Sequence, residues 1–249
     1  MERTNPFDGL PMYEISTALL HSCLYNVIYS SPFAKNRSPF YVKFPSEQYP
    51  IKYDVENERV STKNTFFNDL GLHRTPDLAL RLDGCFRIPL QLILRWLQED
   101  HMDVILSELQ KREHQPLFDN TSGENAWTNT VIHLCILCEN WDFPLAFNAA
   151  MNHLLHLRDF SFMAPKQIEA IYRITHAGSI LRGLIVDIIS STTPQDTMRR
   201  LGSLESSLPD EKFEELLDDL RTREVPEHSL FDSAGNLIIG RLVEYHMKL

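Results

Sequence analysis

The chain of 249 residues carries 24 basic and 34 acidic side chains, a net charge of −10. This balance argues against a surface built mainly for nucleic acid, because neutralising phosphates requires clustered Lys and Arg. Hydrophobic residues make up 43% and glycine is scarce at 9 residues, so a sizeable core is possible and helices are favoured over a Gly-rich β architecture. From Leu201 onward the chain has eleven acidic and five basic residues, so this segment contributes −6 to the net charge. It is either a solvated acidic helix face or a surface for cationic partners.

The start of the chain lacks the basic and apolar regions of a signal peptide, and no run approaches the ~18 apolar residues of a membrane helix. The cysteines suit a reducing compartment as buried apolar residues; they are Cys23, Cys85, Cys135 and Cys138. We therefore expect a nuclear or cytoplasmic protein that is not secreted and has no membrane partner.

The first half of the chain predicts an α+β domain. After a flexible segment, residues 1–11, an amphipathic helix is predicted from Met12 to Tyr29. Two short strands, 40–44 and 49–53, follow with a hairpin-length link, and Pro50 makes the second an edge or irregular strand. A helix at 59–70, a third strand at 78–82 and a helix at 88–99 complete the unit. We expect the strands to form one small sheet packed by both helices, with four aliphatic side chains of the last helix buried: Leu90, Ile93, Leu94 and Leu97.

Everything after residue 100 predicts helices. They are expected at 102–112, 127–137 and 144–157, with a break around 140–143, and then from Pro194, at 209–221 and in an apolar stretch at 237–243. A polar loop at 115–126 is a candidate boundary. The predicted units are thus 12–114, 127–200 and an acidic helical region at 201–249.

The segment Ile171–Asp187 is the most informative part of the chain. It predicts two helices joined at Ala177-Gly178, with Gly178 ending the first and Ser179 capping the second through its hydroxyl oxygen. Aliphatic residues recur at helical spacing in the second helix. We expect Leu181, Leu184 and Ile185 to be buried against the helices of residues 131–157.

The same segment resembles a pattern in the helical, BACK-like region that follows the BTB/POZ domain of many fungal proteins. That pattern reads Tyr-x-x-Thr-x-x-Gly-Ser-x-Leu-Arg-x-Leu-x-Val-Asp. The matching residues are Tyr172, Thr175, Gly178, Ser179, Leu181, Arg182, Leu184, Val186 and Asp187. We call Ile171–Asp187 the signature segment below.

Weaker matches extend the resemblance over about residues 12–190. Apolar BTB positions fall on Val55, Val60 and Phe67, whereas the family's His and Ser are replaced by Glu56 and Asn64. Further matches lie in two helices, where Gln98 replaces a Tyr of the family; they are Leu90, Leu94, Trp96, Leu97, Leu134, Leu137, Cys138, Glu139, Phe143 and Pro144. The resemblance implies a divergent BTB/POZ-like domain at 12–114 with a C-terminal helical extension.

That resemblance implies a non-enzymatic interaction scaffold or adaptor, a subunit of a nuclear or chromatin-associated complex, with the nucleus favoured. The alternative is a substrate adaptor of a cullin-type ubiquitin ligase, although the chain has no recognisable Kelch, MATH or ankyrin client module. It also implies a homodimer or heterodimer through the helix Met12–Tyr29, which could instead cover the protein's own sheet. The candidate partner-interface residues are Leu19, Leu20, Leu24, Tyr25 and Arg182. For Arg182 and Asp187 a structural bond within the protein is the alternative.

No motif for a nucleophile, a phosphate loop or a metal site is complete, so the sequence predicts no catalytic, cofactor-binding or metal-ligating residue. Cys135-x-x-Cys138 lacks a second ligand pair, and buried thiols are favoured over a zinc site. His153 and His156 are predicted as surface or boundary residues. The carboxylates of Glu214, Glu215, Asp218 and Asp219 are predicted to be a solvated helix face; this set is referred to below as the acidic run.

Overall fold

A small sheet followed by an array of helices makes up the computed structural model, which describes residues 37–56, 76–99, 101–112, 126–156, 163–191, 194–223, 230 and 245–248. The strands are β1 (Arg37–Lys43), β2 (Ile51–Glu56) and β3 (Leu80–Arg81). The helices are α1 (Arg87–Glu99), α2 (Met102–Arg112), α3 (Ala126–Asn140), α4 (Pro144–Leu155), α5 (Pro165–Ile174), α6 (Ile180–Ser190), α7 (Pro194–Glu205) and α8 (Asp210–Thr222). Short 3-10 turns precede β3 and α1, at Pro76–Leu78 and Gly84–Phe86. The α+β, mostly helical class predicted from the sequence is confirmed.

The three predicted strands join one sheet in the order β2-β1-β3. β1 pairs with β2 in the antiparallel sense, with Phe40 opposite Tyr53, and with β3 in the parallel sense, with Val42 opposite Leu80. Phe40 and Val42 are buried whereas the residues between and beyond them are more exposed. This alternation is the period-2 pattern of a sheet with one buried face.

The strand boundaries differ from the prediction at the two prolines and at β3, which has two residues where 78–82 was predicted because Leu78 belongs to the preceding 3-10 turn. β1 begins at Arg37, before the predicted start at residue 40, and so includes Pro39, whereas β2 begins only after Pro50. The β1 residues that pair with β3 are Val42 and Lys43. Pro39 therefore lies beyond β3, at a strand position where a residue without an N–H is tolerated.

Helix α1 is buried along its predicted apolar side. Leu90, Ile93, Leu94 and Leu97 are at most 3% exposed, as predicted. The main neighbours of α1 are α2 and α3, and its first residue, Arg87, reaches Glu47 beyond the end of β1. Other helices are thus the main neighbours of the apolar side of α1, and its buried side chains belong to the same core as those of β1.

The helical core is continuous across the predicted loop at 115–126. α1 packs on α3 and α2 packs on α4, and Trp96 of α1 meets Phe143 with ring centroids 5.6 Å apart. The break between α3 and α4 is present at 141–143, where Asp142 adopts a positive φ of 54°. The predicted boundary between residues 200 and 201 falls inside α7, which is a single helix.

The turn between α5 and α6 is built differently from the prediction. α5 ends at Ile174, and Gly178 lies in the following turn with a φ of +88°, a conformation that glycine adopts without strain. Ser179 occupies the N-cap position, but its hydroxyl donates to Glu139 Oε2 at 2.7 Å. The other oxygen of Glu139 accepts the N–H of Ile180 at 2.7 Å. The cap of α6 is therefore supplied by α3, because a carboxylate binds free helix N–H groups more strongly than a hydroxyl does.

We expect Glu139→Ala to lower the free energy of unfolding by about 1–2 kcal/mol, since it removes the cap of α6 and leaves the hydroxyl of Ser179 without its acceptor. Ser179→Ala should cost less, because Glu139 would still accept from Ile180. Urea denaturation of both single variants and the double variant measures the coupling. Additive losses would show that the two side chains act independently, against this account.

Packing around α6 differs in one respect from the prediction. Leu181, Leu184 and Ile185 are at most 1% exposed, which confirms their burial. The main neighbours of α6 are α5, α7 and α8, whereas the predicted partners were the helices of residues 131–157. α3 instead reaches α6 through the cap supplied by Glu139.

Several predicted segments lie outside the described residues: the flexible start at 1–11, the helices at 12–29 and 59–70, the loop at 115–125 and the apolar stretch at 237–243. Within the described part, none of the helices combines the length and hydropathy needed to cross a membrane.

Candidate interaction site

A groove of about 490 Å³ lies where β1 and β3 end. The two strands are parallel, so their carboxyl ends meet at the same edge of the sheet, and the chain then enters the 3-10 turn that leads into α1. In sheets with parallel strands this edge is a common place for ligands. The groove is lined by Lys43, Phe44, Pro45, Arg81, Leu82, Asp83 and Phe86.

The floor of this groove is apolar. Phe44 is fully buried, Phe86 is 6% exposed and Leu82 is half-buried. The Arg87 guanidinium lies 5.8 Å from the centre of the Phe44 ring and is paired with Glu47 at 2.6 Å. Phe44 therefore lies between the core and a cation, and the apolar surface of the groove that is open to a ligand belongs to Leu82 and Pro45.

The rim of the groove carries charge. Lys43 and Arg81 are exposed and stand in register on neighbouring strands. Neither of them has an ion-pair partner among the described residues. Like charges directly opposite each other in a sheet repel and destabilise it slightly. Asp83 is the acidic residue of the lining, so the lining as a whole is cationic in a chain whose net charge is −10.

Arg182, a residue of the signature segment, lies inside the protein and is 3% exposed. Its Nε donates to Thr175 Oγ1 at 2.9 Å, and its Nη2 donates to the carbonyl oxygens of Tyr172 and Thr175 at 3.0 and 2.6 Å. Its Nη1 is 2.8 Å from Glu215 and 4.0 Å from Asp219 of α8. The guanidinium also lies 4.4 Å from the centre of the Tyr172 ring. Arg182 thus joins α5, α6 and α8.

The acidic run is only partly a solvated face. Glu214 and Asp218 are exposed, as predicted, but Glu215 and Asp219 face Arg182. The Tyr172 hydroxyl donates to Asp219 Oδ2 at 3.0 Å, and burial together with this carboxylate raises the pKa of that hydroxyl. Half of the run therefore attaches α8 to the signature segment.

Asp187 makes a second attachment and is also 3% exposed. The Arg223 guanidinium donates to both of its oxygens at 2.5 Å, and the Tyr245 hydroxyl donates to Oδ2 at 2.6 Å. The hydrogen bonds from Arg223 are bidentate, the strongest geometry for this pair, and they raise the pKa of Arg223. A Cβ at Gly183 would lie 2.6 Å from Arg223 Nη1, so the glycine gives the guanidinium its place against α6.

These contacts favour the structural alternative for Arg182 and Asp187, because a side chain 3% exposed offers little surface to a partner. The other candidate interface residues, Leu19, Leu20, Leu24 and Tyr25, lie outside the described residues. A dimer through the helix Met12–Tyr29 therefore stays a prediction.

Cys135 and Cys138 are fully buried in α3, as predicted, and burial raises the pKa of both thiols. The burial expected of Cys85 is wrong, because this residue is exposed in the 3-10 turn that precedes α1. Within the described part, no group of three or more His, Cys, Asp and Glu residues is placed to hold a metal ion. That the pair binds no zinc stays a prediction, which elemental analysis of the purified protein can check.

His153 accepts a hydrogen bond from Trp127, whose Nε1 lies 3.1 Å from His153 Nε2. This bond requires the neutral imidazole with its proton on Nδ1. Burial, with a smaller effect of His156, lowers the pKa of His153 to about 4. His153 is thus a boundary residue, as predicted, and its neighbour His156 is exposed.

A loss of stability in acid is expected from His153. Between its ordinary pKa of ~6.5 and the folded value of about 4, the unfolded chain binds a proton that the folded protein does not, so the free energy of unfolding falls as the pH falls. Across this window the loss should reach on the order of 2–3 kcal/mol. His153→Gln, which keeps an acceptor for Trp127 but does not titrate, should remove this component, whereas His156→Gln should largely retain it. Urea denaturation at several pH values measures it; identical pH profiles for wild type and His153→Gln would contradict the assignment.

Comparison with models of protein families, with curated proteins and with solved structures gives no match to this chain. The BTB/POZ-like identity therefore stays an interpretation of the residues quoted above.

The groove was not predicted from the sequence. A signal for it exists: each of two predicted strands, 40–44 and 78–82, carries a cation near its carboxyl end, at Lys43 and Arg81. The signal has meaning only once the strands are known to be parallel neighbours, which the order of elements along the chain does not specify.

Proposed function

We propose that the protein is a non-enzymatic interaction scaffold or adaptor, acting as a subunit of a nuclear or chromatin-associated complex. The observation that carries this proposal is the groove beside β1 and β3, which combines an apolar floor with cations that have no ion-pair partner among the described residues. Binding sites of this size, from ~300 Å³ upward, commonly join an apolar lining to a few polar groups. The nuclear setting rests on the resemblance to fungal BTB/POZ proteins.

The bracing of the helical array also supports this role. Internal bonds made by Arg182 and Asp187 tie α8 and the segment 245–248 to the signature segment. Asn148 of α4 adds two bonds to the backbone of Met247, accepting from its N–H at 2.8 Å and donating to its carbonyl at 3.1 Å. A helical array braced in this way presents a surface with little rearrangement, which lowers the entropic cost of binding a partner.

The proposal is tested by purifying the tagged full-length chain from its native cells and identifying stoichiometric partners by mass spectrometry. Subunits of a chromatin complex would support the scaffold role, and a cullin would support the ubiquitin-ligase adaptor instead. Recovery of the chain alone, under conditions where a known complex from the same cells stays intact, would contradict both.

Assembly of the protein gives a separate prediction from the helix expected at Met12–Tyr29. The apolar residues of this predicted helix cover more than one side of it, and the additional apolar surface must be buried against the rest of the chain or against a partner. We expect a dimer, or poor solubility without the complex, and we expect replacement of Leu20 and Leu24 by Asp to give a folded monomer or to release the partner. Leu145→Asp, at a leucine that is 59% exposed, is the matched control and should change neither assembly nor folding.

Light scattering with far-UV circular dichroism decides this prediction. A monodisperse wild-type monomer whose double variant merely unfolds would place the helix in the protein's own core.

A further inference from the structure

We propose that the groove binds an extended, acidic segment of a partner protein, with a carboxylate between Lys43 and Arg81 and apolar side chains against Leu82 and Pro45. This inference rests on the proposed function, because it assigns the chemistry of the partner that the groove would hold. It is carried by charge complementarity, by the composition of the floor and by the position of β3.

Charge gives the first argument. Lys43 and Arg81 stand opposite each other in the β1–β3 ladder, and both are exposed. An anion between them would turn a repulsion into two favourable ion pairs. The third cation next to the groove, Arg87, is already paired with Glu47, so Lys43 and Arg81 face the single carboxylate of Asp83 and the lining keeps a net positive charge.

The floor gives the second argument. A site for a bare inorganic anion would be lined with donors, whereas half-buried Leu82 and exposed Pro45 give this lining apolar surface beside the two cations. A ligand that satisfies both parts carries carboxylates and apolar side chains within a few residues of each other. A volume of about 490 Å³ lies within the ~300–1,000 Å³ range of sites for drug-sized ligands, and so it can hold a short stretch of peptide.

The edge of the sheet gives the third argument. β3 pairs with β1 on one side, and no further strand flanks it within the described residues. Leu82 donates its N–H to the Lys43 carbonyl at 3.2 Å. Successive N–H groups of a strand point in opposite directions, so the N–H of Arg81 is directed away from β1. An extended segment lying along β3 could add main-chain hydrogen bonds there, as peptides do when they extend a sheet.

The test measures binding of short fluorescein-labelled peptides to the full-length chain by fluorescence anisotropy. One peptide alternates aspartate with leucine, a second replaces each aspartate by asparagine, and a third replaces each aspartate by lysine. We expect the acidic peptide to bind at least tenfold more tightly than the asparagine peptide and the lysine peptide to bind most weakly. The preference should shrink as salt rises, because exposed ion pairs are screened.

Variants locate the site. Lys43→Glu and Arg81→Glu should each weaken binding of the acidic peptide about tenfold or more. Arg199→Glu makes the same change of charge on α7, at an arginine whose side chain is 80% exposed, and should alter binding less than twofold. Far-UV circular dichroism verifies that each variant is folded. Inorganic phosphate is the competitor that tests for a plain anion site, and it should not displace the peptide at matched ionic strength.

Four outcomes would overturn the inference: equal binding of the acidic and asparagine peptides, equal losses in Arg199→Glu and the groove variants, full displacement by phosphate, or no binding of any peptide. Purification from native cells separates this failure from failure of the proposed function. If the double variant of Lys43 and Arg81 still recovers the wild-type partners, the scaffold role stands and the groove proposal falls. If the wild type recovers no partner, the proposed function itself falls.

Discussion

Replacing Arg182 by methionine should lower the free energy of unfolding by roughly 2–4 kcal/mol. The change removes hydrogen bonds to Thr175 and to two backbone carbonyls, and it leaves the carboxylate of Asp219 without its cation. Glu215 loses one of two cations and keeps Lys212 at 2.5 Å. Removing one member of a buried pair costs ~3–5 kcal/mol, but these two carboxylates keep a quarter to a third of their exposure and can be hydrated, which reduces the loss.

The loss should begin in α8. Because Arg182 holds Glu215 and Asp219, hydrogen exchange in the Arg182→Met variant should accelerate in Asp210–Thr222 before it does in α3 or α4. Arg199→Met is the matched control: its side chain is 80% exposed and its ion pair lies within one helix turn, so we expect a change within ~0.5 kcal/mol. Arg182→Lys should recover little of the lost stability, since one ammonium group cannot make the hydrogen bonds that the planar guanidinium directs to Thr175, Tyr172 and Glu215.

Urea denaturation measures these changes, and it also separates the two roles considered for Arg182. A stable Arg182→Met protein that has lost a partner would favour a partner contact. A destabilised protein, with α8 loosened, would support the structural role.

Leu184→Ala should cost roughly 2–5 kcal/mol, because the side chain is fully buried in α6 and its removal leaves a cavity between α6 and its neighbouring helices. The matched control is Leu145→Ala, the same chemical change at a leucine that is 59% exposed at the start of α4. For Leu145→Ala we expect the free energy of unfolding to change by no more than ~0.5 kcal/mol. Denaturant titrations of both variants give the comparison directly.

A Leu184→Ala loss as small as that of Leu145→Ala would mean that α6 does not belong to the core. The signature segment would then be a mobile arm or an exposed interface. The depth of burial of the whole helix, where residues from Leu181 to Ile189 are buried without a break, argues for the large effect.

Helices were predictable from the sequence because their signal is local. The predicted helix at 102–112 has the observed bounds, and most other described helices differ from the predicted ones by up to three residues at their ends, whereas α5 begins at Pro165, six residues before the predicted Ile171. Apolar spacing in α1 correctly selected Leu90, Ile93, Leu94 and Leu97 as buried. The three strands were found for the same reason, since alternation and β-branched or aromatic residues mark each one separately.

Contacts between distant segments were not predictable in this way. Glu139 lies about forty residues from Ile180 in the chain, so nothing near Ser179 indicates that a glutamate of α3 provides the cap. The acidic run looks uniform in sequence, yet Glu215 and Asp219 turn toward Arg182 while Glu214 and Asp218 face solvent. Which side of α8 meets α6 depends on how the two helices dock, and docking is decided by packing over the whole interface.

The sequence by itself therefore determined the class of the fold, the positions of the helices and strands and the apolar sides that enter the core, because periodicity and turn chemistry act over a few residues. Only the tertiary structure decided how Arg182 and Asp187 are used, and only it placed Lys43 beside Arg81 at the groove. Pairing of β1 with β3 and docking of α8 on α6 join residues about thirty-five to forty apart in the chain. Such contacts form where the packed core brings the segments together, and no local pattern encodes them.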